Sequence, residues 1–179
     1  QKAELLLEEK MKEHDSVGGV IECVVKGMMP GIGEPVFEKL DANLAKAVMS
    51  IGAVKGVEIG DGFASAESFG SSNNDAFCLD QDKHITKATN HAGGILGGIS
   101  DGSDVILRAA VKPTPSIAKT QQTVNRDKEP IAIEIGGRHD PIIVPRAVVV
   151  VEAMTAITVF DMMMESMSSN LDRIKRFFS

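Results

Sequence analysis

Asn90-His91-Ala92-Gly93-Gly94-Ile95-Leu96-Gly97-Gly98-Ile99-Ser100 runs on, from Asp104, as Asp-Val-Ile-Leu-Arg-Ala-Ala-Val to Val111, and then as Lys112-Pro113-Thr114-Pro115-Ser116. The Asp104 to Val111 segment is alternating and β-rich, which predicts a strand. Pro113 and Pro115 stop it, because proline has no N–H to give to a ladder. The glycines before it allow a backbone to approach a ligand with no side chain between the anion and the peptide N–H groups. The two prolines after it fix an extended backbone and leave one cation and two hydroxyls at set positions. A segment that rigid loses little entropy on gripping a phosphate.

Each motif also has a plainer reading. A few glycines are most often a tight turn between packed elements, and a lysine at a strand end is most often solvated. The ladder is neither a Walker loop, since no Gly-Lys-Ser/Thr closes it, nor a dinucleotide fingerprint, since no acidic residue comes after a second strand at the required distance.

On either side, Ser16 to Val25 and Ala53 to Ile59 predict two more strands, with Gly18-Gly19 marking a bulge or a close backbone approach, and Ile131 to Ile135 predicts a fourth. Residues 2–13 predict a helix with Leu5, Leu6, Leu7 and Met11 on its apolar side. A second helix is predicted to start at Glu34-Pro35, to carry Val36, Phe37, Leu40, Leu44, Ala47 and Val48 as one stripe, and to end at Gly52. The last long helix spans Pro145 to Met167 and is apolar around almost its whole circumference, which predicts burial on several sides. Its Val148 to Val151 run suits a strand as well, and periodicity does not separate the two. Glu67 to Thr89 is polar and reads as a long loop, mobile or functional. Residues 118–128 form a polar connector and Leu171 to Phe178 a short amphipathic end. Strands and helices mixed without strict βαβ alternation give α+β, with helices packed on largely antiparallel sheet, in a single domain over residues 1–179.

The chain has 179 residues, 43% of them hydrophobic and 25% charged, the composition of a soluble globular domain with a real core. A net charge of −6 disfavours a nucleic-acid partner held by bulk electrostatics, so cations that act on an anion must act locally. Cys23 and Cys78 form no CxxC, which points away from a disulfide framework or a zinc site and fits a reducing cytoplasm. Glu152 and Asp161 interrupt the most hydrophobic segment, so no membrane span is expected. Gln1-Lys2-Ala3 begins inside a helical pattern with neither initiator Met nor signal peptide, which reads as a piece of a longer chain.

Arg138-His139-Asp140 comes after two glycines and precedes Pro141. Arginine holds a carboxylate or phosphate in a two-pronged grip, and an aspartate beside it can take or orient a proton. The alternative is a surface ion pair with a helix cap, contributing about 0–1 kcal/mol. His91 and His139 are candidate acids or bases. His14 and His84 lie in polar surroundings and read as exposed, and Met162 to Met164 as core.

Together these stretches resemble chorismate synthase: Asp15 to Val20, Gly33 to Phe37, Ser50 to Gly60, Asn90 to Ser100, Lys112 to Ile117, Gly137 to Pro141 and Val144 to Ala147 run in that family's order over nearly the whole chain. The resemblance implies a β-α-β sandwich subunit in a homotetramer. It also implies a shikimate-pathway lyase, part of aromatic amino acid biosynthesis, that converts 5-enolpyruvylshikimate 3-phosphate to chorismate and phosphate by 1,4-anti elimination. The reaction requires reduced FMN, and NADP is associated with the family. Carried onto matching positions, the FMN contacts are Gly52, Ala53, Gly97, Lys112, Pro113, Thr114, Pro115, Ser116 and Arg138. Asp140 is the proton acceptor beside the flavin, with a pKa raised if it is desolvated, and Arg138 also lies near the substrate. The family's N-terminal part, with two catalytic histidines and several substrate-holding arginines, is absent from these residues. The isolated chain is therefore expected to be inactive or nearly so. A flavin reductase using the same cations and a truncated domain that keeps only folding and association surfaces are the competing readings.

Overall fold

Side-chain alternation along one strand organises the computed structural model, which describes residues 2–137 and 139–179. In chain order, α1 (Lys2–Lys12) leads to β1 (Gly19–Val25), α2 (Leu40–Met49) and β2 (Val54–Ile59), then to a 3-10 turn (Gly62–Glu67) and the one-turn α3 (Gly70–Asn73). Two small hairpins come after them, β3 (Phe77–Leu79) with β4 (Ile85–Lys87) and β5 (Ile95–Leu96) with β6 (Ile99–Ser100). Next come β7 (Val105–Val111), the hairpin of β8 (Gln121–Val124) and β9 (Pro130–Ile133), and the helices α4 (Val144–Ser168) and α5 (Leu171–Phe178).

β7 is the middle strand of a three-stranded antiparallel sheet, order β1-β7-β2. Its register pairs Val111 with Gly19 on one side and Val54 on the other. Val105, Leu107, Ala109 and Val111 point to one face and are buried. On the other face Arg108 sits between Glu22 at 3.1 Å and Glu58 at 3.4 Å, its direct cross-strand neighbours. One face is thus core and the other carries charge, as antiparallel sheets permit. Leu40, Leu44 and Val48 of α2 are fully buried, and Val151, Thr155 and Val159 of α4 form a second buried stripe. Both helices pack on this side, and each fully buried Leu or Val contributes about 1.5–3 kcal/mol. The α+β class and the antiparallel sheet on helices stand as expected from the sequence.

Several boundaries differ. α2 begins at Leu40 rather than Glu34, because the Leu40 N–H is taken by the Gly98 carbonyl (2.8 Å) and Glu34 bonds the Glu38 carbonyl in a turn of its own. Val36, at φ 70°, and Phe37 therefore leave the apolar stripe and face solvent. α2 ends at Met49, capped by Ser50, and Ala53 rather than Gly52 takes the left-handed conformation. The first strand begins at Gly19, and residues 67–89 hold α3 and the β3–β4 hairpin instead of a bare loop. The connector 118–128 contains β8, the partner of β9. Val148 to Val151 is helical, with Pro145 in the first turn. α4 is long and apolar enough to cross a membrane by length and composition, yet it docks by one face only. Val149 (62% exposed) and Phe160 (65% exposed) point away from the sheet, against the expectation of burial on several sides. Leu5, Leu6 and Met11 of α1 are likewise exposed.

Candidate active site

Strand direction sorts the candidate residues. β7 runs antiparallel to both neighbours, so the segment after β7 (Lys112 to Ser116), the segment before β1 (Asp15 to Gly18) and the turn before β2 (Gly52, Ala53) meet at one end of the layer. The glycine ladder, which leads into β7, and the chain leaving β1 and β2 meet at the other.

At the first end the Lys112 N–H donates to the Ala53 carbonyl at 2.9 Å, and the Ser16 hydroxyl donates to the Thr114 carbonyl at 2.7 Å. A Cβ on Gly18 would strike the Val111 carbonyl and crowd Pro113, so this glycine is what lets the Pro-Thr-Pro segment lie flat on the start of β1. The Val17 N–H donates to the Pro141 carbonyl at 2.8 Å, and Val17 bridges Ile142 in parallel, which brings Asp140 to the same end. A cleft of about 170 Å³ opens there, lined by His14, Asp15, Ser16, Ile117, His139 and Asp140 among others. Asp15, hydrogen-bonded by the Ser16 N–H and by Lys119 at 3.2 Å, is held below the ordinary carboxylate pKa by those two donors in that order. His139 Nε2 lies 3.0 Å from the Ile135 carbonyl. A carbonyl only accepts, so Nε2 carries the proton of that bond and Nδ1 is left toward other partners.

Two features suit an anionic group. Thr114 Oγ1 is buried with no hydrogen-bond partner among the described residues, an orphan hydroxyl of the kind that a bound oxygen atom satisfies. Lys112 is exposed and has no ion pair among the described residues. Arg138 lies outside the described residues. Asp140 is paired with Arg146 of the first turn of α4 at 2.5 Å. Its side chain is 38% exposed.

Gly97 is elsewhere. It sits in the β5–β6 turn at the N-terminal end of α2, where Gly98 accepts from Leu40, and β7, seven residues long, puts about 20 Å between the two ends. His91 is at that end too, 2.6 Å from Asp61. Sequence reasoning missed Ser16, His14 and Arg146 as neighbours of the site. Ser16 and Arg146 each had a signal, as parts of the Asp15 to Val20 and Val144 to Ala147 motifs.

A family model described as chorismate synthase matches residues 1–164. The chain belongs to the chorismate synthase family. It is 61% identical over 178 residues to the chorismate synthase of Lachnospira eligens, covering 99% of this chain and 48% of that protein. It is 62% identical over 153 residues to that of Archaeoglobus fulgidus, covering 85% and 42%. A crystal structure of chorismate synthase superposes with a TM-score of 0.76 at 31% identity, over 99% of this chain and 46% of that one. The chain thus spans about half the length of the curated chorismate synthases it matches, and the glycine ladder, the Lys112 to Ser116 segment and Asp140 all fall inside the matched span.

Proposed function

We propose that this chain supplies the flavin-gripping and proton-accepting side of a chorismate synthase active site. The reaction is 1,4-anti elimination of phosphate from 5-enolpyruvylshikimate 3-phosphate to give chorismate. The observation that carries the reading is that one end of the sheet brings together the exposed cation of Lys112, the buried hydroxyl of Thr114 and Asp140, the last lining a cleft that opens there.

In the elimination the allylic C–O bond to phosphate breaks with its electron pair, a ring C–H breaks, and a new C=C takes up the electrons left by the proton. Reduced FMN, when bound, supplies electron density to the ring as phosphate departs. Lys112 and Arg138 offset the negative charge that flavin, phosphate and carboxylates bring together. Gly52, Ala53 and the rigid Pro113-Thr114-Pro115-Ser116 segment offer peptide and hydroxyl groups to the flavin phosphate. Asp140, oriented by Arg146, accepts the proton. Gly97, at the far end, reaches a flavin only as a contribution from a second copy, in keeping with a homotetramer. The reading includes a cytoplasmic protein with a small-molecule substrate and no nucleic-acid or membrane partner, with NADP, if used, serving to reduce the flavin.

Anaerobic assay of chorismate formation with reduced FMN, alongside fluorescence titration of FMN, tests this. These 179 residues alone are expected to bind FMN saturably and to turn over negligibly. Robust turnover would refute the idea that further catalytic groups lie outside these residues, and absence of saturable binding would refute the flavin grip.

A further inference from the structure

The most deeply buried cation in a described ion pair plays no part in the chemistry above. Lys87, at the end of β4, has a side chain only 4% exposed and lies between Asp75 (3%) and Asp101 (9%). It donates to Asp101 Oδ2, stands 3.9 Å from Asp75 Oδ2, and lies 6.0 Å from the centre of the Phe77 ring. The Asp75 carboxylate in turn holds the leading flank of the glycine ladder, and Asp101 holds the trailing flank through its backbone. Asp75 accepts the N–H of His91 (2.8 Å), the N–H of Ala92 (2.9 Å) and the hydroxyl of Thr89 (2.8 Å). Asp101 accepts the N–H of Ser103 at 2.9 Å, and its own N–H donates to the Gly94 carbonyl at 3.0 Å.

We propose that Lys87 is a positioning residue: its ammonium, clamped by one carboxylate before the ladder and one after it, fixes the shape of Asn90 to Ser100 and so the presentation of the Gly97 turn. The physical reason is charge. A ladder rich in glycine has little intrinsic stiffness, so its shape must be imposed by neighbours. Two buried carboxylates cannot approach its flanks without a cation between them. Removing that cation leaves two uncompensated buried charges, the most disruptive change such a cluster can suffer. The functional consequence rests on the reading of Gly97 as a flavin contact; the conformational claim does not.

The test is residue-resolved hydrogen exchange on the chain with Lys87→Met. His91, Ala92 and Gly94 amides are expected to exchange roughly tenfold faster, while Leu107 and Ala109 of β7 stay within about twofold of wild type. Ladder amides that also stay within about twofold of wild type would overturn the proposal. If Lys87→Met unfolds the whole chain, Asp75→Asn decides. It balances the Lys87–Asp101 charge, removes the anionic acceptor of the ladder amides, and must loosen those amides alone. In Lys87→Met/Asp101→Asn the cluster returns from two excess negative charges to the single one it carries in wild type, so exchange should recover toward wild type. No recovery would mean that the cluster acts by packing and would overturn the electrostatic clamp. FMN affinity, measured on the same samples, is expected to fall with ladder order. A loose ladder with undiminished affinity removes Gly97 from the flavin site and leaves the clamp standing.

Discussion

The Lys112 N–H donates to the Ala53 carbonyl at 2.9 Å, and Ala53 holds φ at 71°, a left-handed conformation for a residue with a side chain. Such a residue costs about 1–2 kcal/mol and persists only where its surroundings over-determine it. The strained turn is therefore locked to the cation-bearing segment on which the proposed phosphate grip depends.

Ala53→Gly should relieve that strain. The gain is offset in part by the greater freedom of glycine in the unfolded chain, leaving a net stabilisation of up to about 1 kcal/mol. Urea denaturation monitored by circular dichroism reads it as a higher midpoint.

Thr114→Val removes the orphan buried hydroxyl. Folding should be unchanged or stabilised by about 1 kcal/mol, while FMN binding weakens. Opposite signs in the two measurements mark a group kept for a ligand; loss of stability on substitution would argue that the hydroxyl is structural.

Leu107→Ala hollows the core at a fully buried position of β7. A loss of about 2–5 kcal/mol is expected in equilibrium unfolding. Val149→Ala on the exposed face of α4 should change the stability of this chain by less than about 0.5 kcal/mol.

Acid should weaken the ladder clamp. Burial pushes the carboxyls of Asp75 and Asp101 up. Hydrogen bonds more than offset it, from Ala92, His91 and Thr89 to Asp75 and from Lys87 and Ser103 to Asp101, so both pKa values lie below the ordinary 3.8. A depressed folded pKa means that the unfolded chain binds protons first. Their contribution is complete above the unfolded value and is lost as pH falls through the lower folded values. Unfolding midpoints from pH 7 down to pH 2 should therefore drop below about pH 4 in wild type, and less steeply in Asp75→Asn.

Mixing two defective chains tests the assignment of Gly97 to a neighbour's site. Lys112→Met and Gly97→Val should each weaken FMN binding. If the two groups come from different copies, some mixed assemblies contain one intact site, and the mixture should regain part of the affinity. Fluorescence titration of the mixture against each variant alone reads the recovery, and no recovery places Gly97 on the same copy as Lys112 or outside the site.

The α+β class was legible in the sequence, because alternation in Val105 to Val111 and the three- and four-residue spacing of Leu40, Leu44 and Val48 are direct records of which side each residue buries. Local stops were also legible where chemistry is local, as at Pro113 and Pro115. The start of α2 was not, since Pro35 is a valid first helical residue and it is the Gly98 carbonyl, distant in sequence, that claims the N–H of Leu40. The Val148 to Val151 run was ambiguous for the same reason: a helix and a strand can both bury valine, and the docking of one stripe of α4 on the sheet chose the helix.

By itself, then, the sequence determined which residues could handle an anionic ligand and a proton, since glycine, lysine, threonine and aspartate carry those capacities as single residues. Tertiary structure decided which of them meet. Lys112, Ala53 and Asp140 share one end of the layer and Gly97 the other, because the antiparallel course of β7 between β1 and β2 sends the two flanks of one strand to opposite poles. Position along a chain records neighbours only within a turn or a strand; which distant segments converge depends on strand direction and pairing, and those are set by packing.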